Sequence, residues 1–282
     1  MRHARLSASP VVSSLPIGVF DSGIGGLTVL KALIAALPNE NTLYLGDTAR
    51  LPYGTKSAEV VVQYSIANTD FLVRQGIKVL VVACNTVSAV ALPTLQAKLN
   101  LPVIGVIQPA VESLAGWPDL PQRIGVIGTP GTIASGAYQH ALKDRFPGAE
   151  IRAKACPLFV PLAEEGWTTG KVAEWVAEEY LSEFRGHLDA LILGCTHYPL
   201  LESVIQRAVG PVALIDSALA TAKKVADELV RLDLINTASL AARHNFYVTD
   251  VPHHFKEVGA RFLGRAIETV EQTDVLRFSA KS

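Results

Sequence analysis

Two apolar segments that each end in a cysteine constrain the fold of this chain more than any other feature. Residues 78–83 and 190–194 are mostly aliphatic, and Cys84 and Cys195 follow them directly. Short aliphatic runs of this kind are typical of strands buried on both faces of a parallel sheet. The carboxyl ends of such strands form the edge where open α/β sheets bind ligands. We therefore predict an α/β protein with one thiol at each of two sheet edges and a single site between them.

The alternation of predicted strands and helices begins again near the middle of the chain. Residues 17–26 and 123–132 both contain a strand followed by a glycine-rich turn. The segments around Cys84 and Cys195 repeat at nearly the same offset. This repetition predicts an internal duplication, and hence two pseudo-symmetric lobes, each a mainly parallel sheet flanked by helices, facing each other across a cleft.

The late part of the chain has no counterpart in the first half. It contains a predicted strand at residues 245–250, and we expect it to cross back onto the first lobe. The predicted first lobe is therefore residues 17–107 plus about 218–282, and the second is 108–217. Apolar spacing predicts helices over residues 27–33, 58–75, 87–98, 133–143, 170–184, 218–232 and 252–268, with Ser57 and Ser217 as N-caps.

Composition narrows the class of protein. The chain has 282 residues, of which 49% are hydrophobic and 18% charged, with a net charge of −1. A sizeable core in two domains is therefore expected, and a nucleic-acid partner is not, since no basic stripe is present. Residues 1–16 lack the apolar run of a secretory signal and are expected to be a disordered tail. No apolar stretch is long enough to span a membrane.

The three cysteines form neither a disulfide framework nor a zinc-ligand pattern, which favours a reducing cytoplasm. Singly, each would be interpreted as a small buried hydrophobe. Cys84 and Cys195 are unlike an ordinary buried cysteine, because both follow a strand and precede a predicted helix N-terminus. That position should lower the thiol pKa from about 8.5. Cys156 lacks such a setting and is expected to be structural.

The turn at residues 21–26 has the sequence DSGIGG, which matches neither the dinucleotide fingerprint nor the phosphate loop. Asp21 would also place a carboxylate beside any phosphate. One interpretation is a tight turn whose glycines let a helix pack on a strand. The other is that Ser22 and backbone N–H groups hold a carboxylate or amine ligand while Asp21 works beside it. The two are compatible.

Other polar residues follow predicted strands or lie near the cysteines. His197 shares a loop with Cys195 and can hydrogen-bond a reacting group. Asp47 is expected to cap its own loop, and Glu164 with Glu165 would ordinarily be a solvated face. Because Lys and Arg are scarce in these loops, any anion would be bound by backbone N–H groups and by neutral side chains, namely Ser22, Asn85, Thr86 and Thr196.

Four segments, in order, resemble the motifs of the glutamate racemase family. They are residues 19–27, 46–54, 83–86 and 193–200. The resemblance spans residues 17 to about 216, and residues 262–264 resemble the C-terminal helix of that family. His197 supports glutamate as substrate, because the related aspartate racemases usually carry a glutamate at that position.

The resemblance implies a cofactor-independent, metal-free cytoplasmic isomerase that interconverts L- and D-glutamate for peptidoglycan. It also implies a homodimer and possible activation by a cell-wall precursor. Cys84 would take the α-proton of D-glutamate with help from Asp21. Cys195 would take that of L-glutamate with help from His197 and Glu164. The implied substrate contacts are Asp21, Ser22, Pro52, Tyr53, Gly54, Asn85, Thr86, Thr196 and His197.

Two alternatives stay open at this stage. One is a racemase of the same kind that acts on aspartate or a hydantoin. The more distant one is a non-catalytic protein that binds a small ligand between two lobes, which requires both cysteines to be inert.

Overall fold

The chain forms two separate parallel sheets. Its computed structural model describes residues 10–238 and 240–278. The ten strands are β1 (Ile17–Asp21), β2 (Thr42–Gly46), β3 (Val79–Val82), β4 (Val103–Gly105), β5 (Arg123–Gly128), β6 (Glu150–Ala155), β7 (Ala190–Gly194), β8 (Ala213–Asp216), β9 (His244–Val248) and β10 (Glu271–Gln272). The first sheet has the order β10-β9-β2-β1-β3-β4, and the second has the order β6-β5-β7-β8.

The predicted duplication is confirmed by strand order. Four strands of the first sheet, β2-β1-β3-β4, are arranged as β6-β5-β7-β8 are in the second. Strands β3 and β7 therefore occupy corresponding positions, and Cys84 and Cys195 follow them. Both strands are wholly buried, as the aliphatic runs predicted. In β3, alternate residues enter different apolar clusters, so both faces of the strand are covered.

The end of the chain returns to the first sheet. Strand β9 pairs in parallel with β2, with Thr42 opposite His244, and β10 pairs with β9. The first sheet is thus assembled from both ends of the chain, whereas the second is continuous in sequence. The exact lobe boundaries stay a prediction.

Helices flank both sheets, and two of the predicted ones are broken. They are α1 (Pro10–Ser13), α2 (Leu27–Ala36), α3 (Ala58–Arg74), α4 (Asn85–Val90), α5 (Leu92–Lys98), α6 (Ile107–Leu114), α7 (Pro130–Ala134), α8 (Ala137–Arg145), α9 (Phe159–Glu165), α10 (Lys171–Leu181), α11 (Glu202–Val209), α12 (Ser217–Arg231) and α13 (Pro252–Leu263). The helix predicted at 87–98 is interrupted at Ala91, because Pro93 in the first turn of α5 has no N–H to continue the ladder. The helix predicted at 133–143 is interrupted at Gly136, whose φ is 69°.

Side-chain caps and a glycine determine where three of the helices begin or end. Ser57 caps α3 as predicted, since its hydroxyl accepts from the Val60 N–H at 3.4 Å. The cap predicted for α12 is wrong by one residue, because Asp216 accepts from the Ala218 N–H at 2.7 Å and Ser217 is already helical. Helix α13 ends before the predicted limit because Gly264, with a φ of 77°, reverses the chain.

Part of the segment predicted to be a disordered tail packs on the first lobe. Residues 1–9 lie outside the described residues. Within residues 10–16, the Lys78 ammonium donates to the Ser13 carbonyl at 2.6 Å, and the Asn41 amide donates to the Ser14 carbonyl at 3.0 Å. These two hydrogen bonds hold residues 13 and 14 against the first lobe. Among the described helices, none has the length and apolar character needed to cross a membrane.

Candidate functional site

A cavity of about 290 Å³ lies between the two lobes, where loops from both sheets meet. Its wall comes from loops that follow β1, β2 and β3 in the first lobe and β5, β6 and β7 in the second. The lining residues are Ser22, Leu51, Pro52, Tyr53, Gly54, Cys84, Asn85, Thr86, Thr129, Val160, Pro161, Glu164, Cys195, Thr196 and His197. Every predicted site residue except Asp21 is in this wall.

Four lining residues were not predicted from the sequence, namely Leu51, Thr129, Val160 and Pro161. Thr129 had a signal, since it lies in the glycine-rich turn of the second lobe that repeats the turn containing Ser22. Val160 and Pro161 belong to α9, and no sequence pattern assigned that helix to the cavity.

Cys84 is buried at the carboxyl end of β3, where it is the N-cap residue of α4. Its Sγ donates to the Ser22 hydroxyl at 3.6 Å. Burial, together with the nearby Asp21 carboxylate, raises the pKa of the Cys84 thiol to about 12. The predicted lowering of this pKa is therefore wrong, because desolvation and a like charge outweigh the dipole of a short helix.

Asp21 is the buried last residue of β1, and it does not line the cavity. Its Oδ2 accepts from the Gly23 N–H at 2.8 Å, whereas its Oδ1 has no hydrogen-bond partner among the described residues. Burial raises the pKa of Asp21, although the charge of His197 opposes this. The resemblance implied a substrate contact, but Asp21 lies one residue behind Ser22, where its charge acts on Cys84.

Cys195 follows β7 and is bonded to a chain of polar groups. Its Sγ lies 3.7 Å from His197 Nδ1, and His197 Nε2 lies 3.0 Å from Glu164 Oε1. Burial alone would lower the pKa of His197, but the hydrogen bonds with Cys195 and Glu164 raise it to about 10. His197 can therefore carry two protons at neutral pH, one directed at the sulfur and one at the carboxylate.

The expected helix N-terminus after Cys195 is absent from the described chain at that point. A 3-10 turn over Tyr198–Leu201 follows, and α11 begins only at Glu202. Glu164 lies on α9 and contacts His197, whereas its neighbour Glu165 is exposed. The acidic pair is thus divided between the site and the solvent.

The glycine-rich turn of the first lobe packs against the Cys195 loop. A Cβ atom at Gly25 would collide with the Thr196 hydroxyl and the His197 ring. The Thr28 hydroxyl donates to the Thr196 carbonyl at 3.0 Å. The tight-turn interpretation expected a helix packed on a strand. At Gly25 the missing side chain instead lets the two lobes approach beside the cavity.

Neutral donors also line the cavity. The Asn85 Oδ1 accepts from the Tyr138 hydroxyl at 2.7 Å, and Asn85 Nδ2 has no partner among the described residues. The hydroxyls of Thr86 and Thr129 lie 3.0 Å apart and contact Thr132 as well. Because each hydroxyl can donate one proton, this cluster and the free amide N–H can bind carboxylate oxygens.

Asp47 has the structural role expected of it. Its buried carboxylate accepts from the Tyr53 hydroxyl, from Asn68 Nδ2 at 3.1 Å and from Arg50 Nε at 3.0 Å. These bonds hold the loop over residues 51–54 against the cavity. Cys156 is fully buried outside the cavity wall, in agreement with its assignment as a structural residue.

The arrangement brings two thiols to one cavity from different lobes. An acid and a base on opposite walls can exchange protons with a small molecule held between them. The hydroxyl and amide donors suit a carboxylated ligand.

Comparison with known proteins places these features in a family context. Residues 17–225 match the model of the Asp/Glu/Hydantoin racemase family. The chain is 53% identical to the glutamate racemase of Geobacter metallireducens over 92% of this chain and 96% of the relative. Among solved structures, the glutamate racemase of Francisella tularensis in complex with D-glutamate has a TM-score of 0.88 at 41% identity, covering 93% of this chain and 98% of that one. Escherichia coli glutamate racemase, in complex with L-glutamate and the activator UDP-MurNAc-Ala, has a TM-score of 0.71 at 29% identity, covering 92% and 98%.

Proposed function

The chain belongs to the Asp/Glu/hydantoin racemase family, and we propose that it is an isomerase that interconverts L- and D-glutamate without a cofactor. The observation that carries this proposal is that Cys84 and Cys195, each supplied by its own lobe, line one cavity. Relatives that are named glutamate racemases cover nearly the whole chain. One of the similar structures holds D-glutamate.

Racemisation requires a base on one side of the α-carbon and an acid on the other. A single group that removed the proton and returned it would tend to restore the original enantiomer. In the proposed reaction the Cys195 thiolate takes the α-proton of L-glutamate, and the Cys84 thiol gives its proton to the opposite face. The products are D-glutamate, a Cys195 thiol and a Cys84 thiolate. Cys84 regains a proton from solvent and Cys195 loses one to it, which restores the first state, or the same enzyme form racemises D-glutamate in the reverse direction.

The electrostatics of the two walls suit this assignment. A pKa of about 12 keeps the Cys84 thiol protonated at neutral pH, which is the state that an acid needs. The doubly protonated His197 beside Cys195 stabilises a negative sulfur by charge and by hydrogen bonding.

Removal of the α-proton also leaves charge on the substrate carboxylate. Donors that are fixed before the reaction stabilise such charge more effectively in a dry site than in water. We assign this role to Asn85 Nδ2 and to the hydroxyls of Ser22, Thr86, Thr129 and Thr196, which are all in the cavity wall or directed into it.

The experiment that tests the function is α-proton exchange in D₂O, followed by NMR, with glutamate, aspartate and hydantoins as substrates. Exchange and inversion of glutamate alone support the proposal. Preference for aspartate or a hydantoin would assign a different substrate within the family. If no substrate exchanges, and alkylation of Cys84 and Cys195 is slow and unaffected by glutamate, the chain is a binding protein instead.

We also propose a cellular setting for this activity, in which the chain supplies D-glutamate for peptidoglycan in the cytoplasm. An activator is tested by adding UDP-MurNAc-Ala, which is bound in the Escherichia coli structure. Self-association as a homodimer is supported by four exposed apolar side chains within residues 158–175, and light scattering after gel filtration measures it. These side chains are Leu158 (49% exposed), Trp167 (57%), Val172 (52%) and Trp175 (65%).

A further inference from the structure

A buried tyrosine of the second lobe contacts the side-chain amide of Asn85. Tyr138 lies in the first turn of α8 and does not line the cavity. Its hydroxyl contacts Asn85 Oδ1 at 2.7 Å, which links the second lobe to a residue of the first. We propose that Tyr138 is a positioning residue that orients Asn85 so that its N–H₂ group, and not its carbonyl, faces glutamate.

The direction of this hydrogen bond decides which end of the amide is held. An amide could either accept from a tyrosine hydroxyl or donate to it, and the two choices differ by a flip of the amide. In the structure the Tyr138 hydroxyl donates to Asn85 Oδ1. The amide oxygen is therefore the end that is held.

This orientation leaves the Asn85 N–H₂ group facing the cavity as an unpaired donor. Asn85 is nearly fully buried, and its Nδ2 has no partner within the described chain. A buried N–H without a partner costs free energy, and a carboxylate oxygen from a ligand would remove that cost. If the amide flipped, a carbonyl oxygen would face the carboxylate instead and would repel it.

The ring of Tyr138 is fixed independently of its hydroxyl. Gly194, the last residue of β7, leaves so little space that an added Cβ would come within 3.0 Å of the Tyr138 ring. Substitution Tyr138→Phe therefore keeps the packing and removes only the hydroxyl. This makes the variant a specific probe of amide orientation.

The inference rests on the proposed function, and a double-mutant cycle tests it. Tyr138→Phe is expected to lower kcat/KM for glutamate about tenfold, mainly through KM, because a weaker carboxylate contact reduces substrate binding. Asn85→Ala should lower it about 100-fold. In the Asn85→Ala background, Tyr138→Phe should then have less than about a twofold effect, since the amide it orients is gone.

Controls separate this role from a general loss of stability. Tyr198→Phe removes another fully buried hydroxyl of the second lobe, one that donates to the Cys156 carbonyl at 2.8 Å outside the cavity wall. It should lower the thermal midpoint comparably but change kcat/KM by less than about twofold.

Two results would overturn the inference. One is an unchanged KM in Tyr138→Phe, and the other is a Tyr138→Phe effect of equal size with and without Asn85. A wild-type protein that does not racemise glutamate would refute the proposed function alone. The same cycle would then be measured as binding of D-glutamate by calorimetry, where the non-additivity of Asn85 and Tyr138 is tested without turnover.

Discussion

The two walls of the cavity have the same architecture but different charges. Cys84 and Cys195 each follow the corresponding strand of a duplicated sheet. Beside Cys84 lie a hydroxyl and the buried carboxylate of Asp21, whereas Cys195 is bonded to an imidazole that is itself held by a carboxylate. The duplication thus accounts for where the sulfurs lie, and a few neighbouring side chains account for how each sulfur holds its proton.

The difference between the two walls cannot appear as a difference in kcat/KM between the two directions of the reaction. L- and D-glutamate have equal free energies, so kcat/KM must be the same in both directions for the wild type and for every variant. The asymmetry of the walls therefore has to be measured through protonation, thiol reactivity and the separate values of kcat and KM.

The largest expected effect comes from removing either sulfur. Cys84→Ala and Cys195→Ala should each lower racemisation by at least about 10³-fold, because each removes the acid or base from one face. Polarimetry with both enantiomers measures this loss. Cys156→Ala is the matched control, since it removes a buried thiol outside the cavity and should retain activity. Near-normal turnover of both enantiomers by either single variant would disprove the two-base scheme.

Removing the His197 imidazole beside Cys195 should have the next largest effect. His197→Gln should lower kcat/KM about 100-fold, equally in both directions, because the sulfur loses its imidazole partner. His187→Gln, which changes an exposed histidine of the same lobe, should have no effect. If His197→Gln retains more than about half of the activity, the pair with Glu164 has a structural role only.

Thiol reactivity should distinguish the two walls directly. At about pH 8, iodoacetamide should modify Cys195 before Cys84, since the raised pKa of Cys84 leaves little of it as thiolate. Asp21→Asn should accelerate modification of Cys84 severalfold, because it removes a charge that contributes to that pKa. Peptide mass spectrometry resolves the two sites. Equal alkylation rates of Cys84 and Cys195 in the wild type would contradict the proposed difference between the two sulfurs. An unchanged Cys84 rate in Asp21→Asn would show that burial alone raises the pKa of Cys84.

The smallest expected effect is on stability as a function of pH. The native pKa of His197 is raised from 6.5 to about 10, so between these values the folded protein holds a proton that the unfolded chain has lost. Its contribution is therefore complete below pH 6.5 and decreases as pH rises towards 10. Between about pH 6.5 and 9 the thermal midpoint of the wild type should fall a few degrees more than that of His197→Gln. If calorimetry gives the same dependence of thermal midpoint on pH for the wild type and His197→Gln, His197 does not carry the proposed charge.

Features that depend on local sequence were predicted well. The buried strands, the repeated turns and the two strand-end cysteines all follow from residue patterns, and together they located the cavity. Thr129 carries the same kind of signal, because it lies in the turn of the second lobe that repeats the turn containing Ser22.

Features that depend on tertiary packing could not be predicted from those patterns. His197 and Glu164 are 33 residues apart in the chain, and only the resemblance brought them together. The pKa of Cys84 was predicted in the wrong direction, because a helix N-terminus can be recognised in a sequence and a buried neighbouring carboxylate cannot. Tyr138 carries no sequence signal at all, since its contact with Asn85 crosses between lobes.

The pairing of β9 with β2 has a consequence for the order of folding during synthesis. The second sheet is contiguous, so all its strands have been made once Asp216 is added to the chain. The first sheet contains β2 with one side unpaired until residues 244–248 are synthesised. An open strand edge is a site of incorrect association in a nascent chain. The lobe that emerges first from the ribosome is therefore the one completed last.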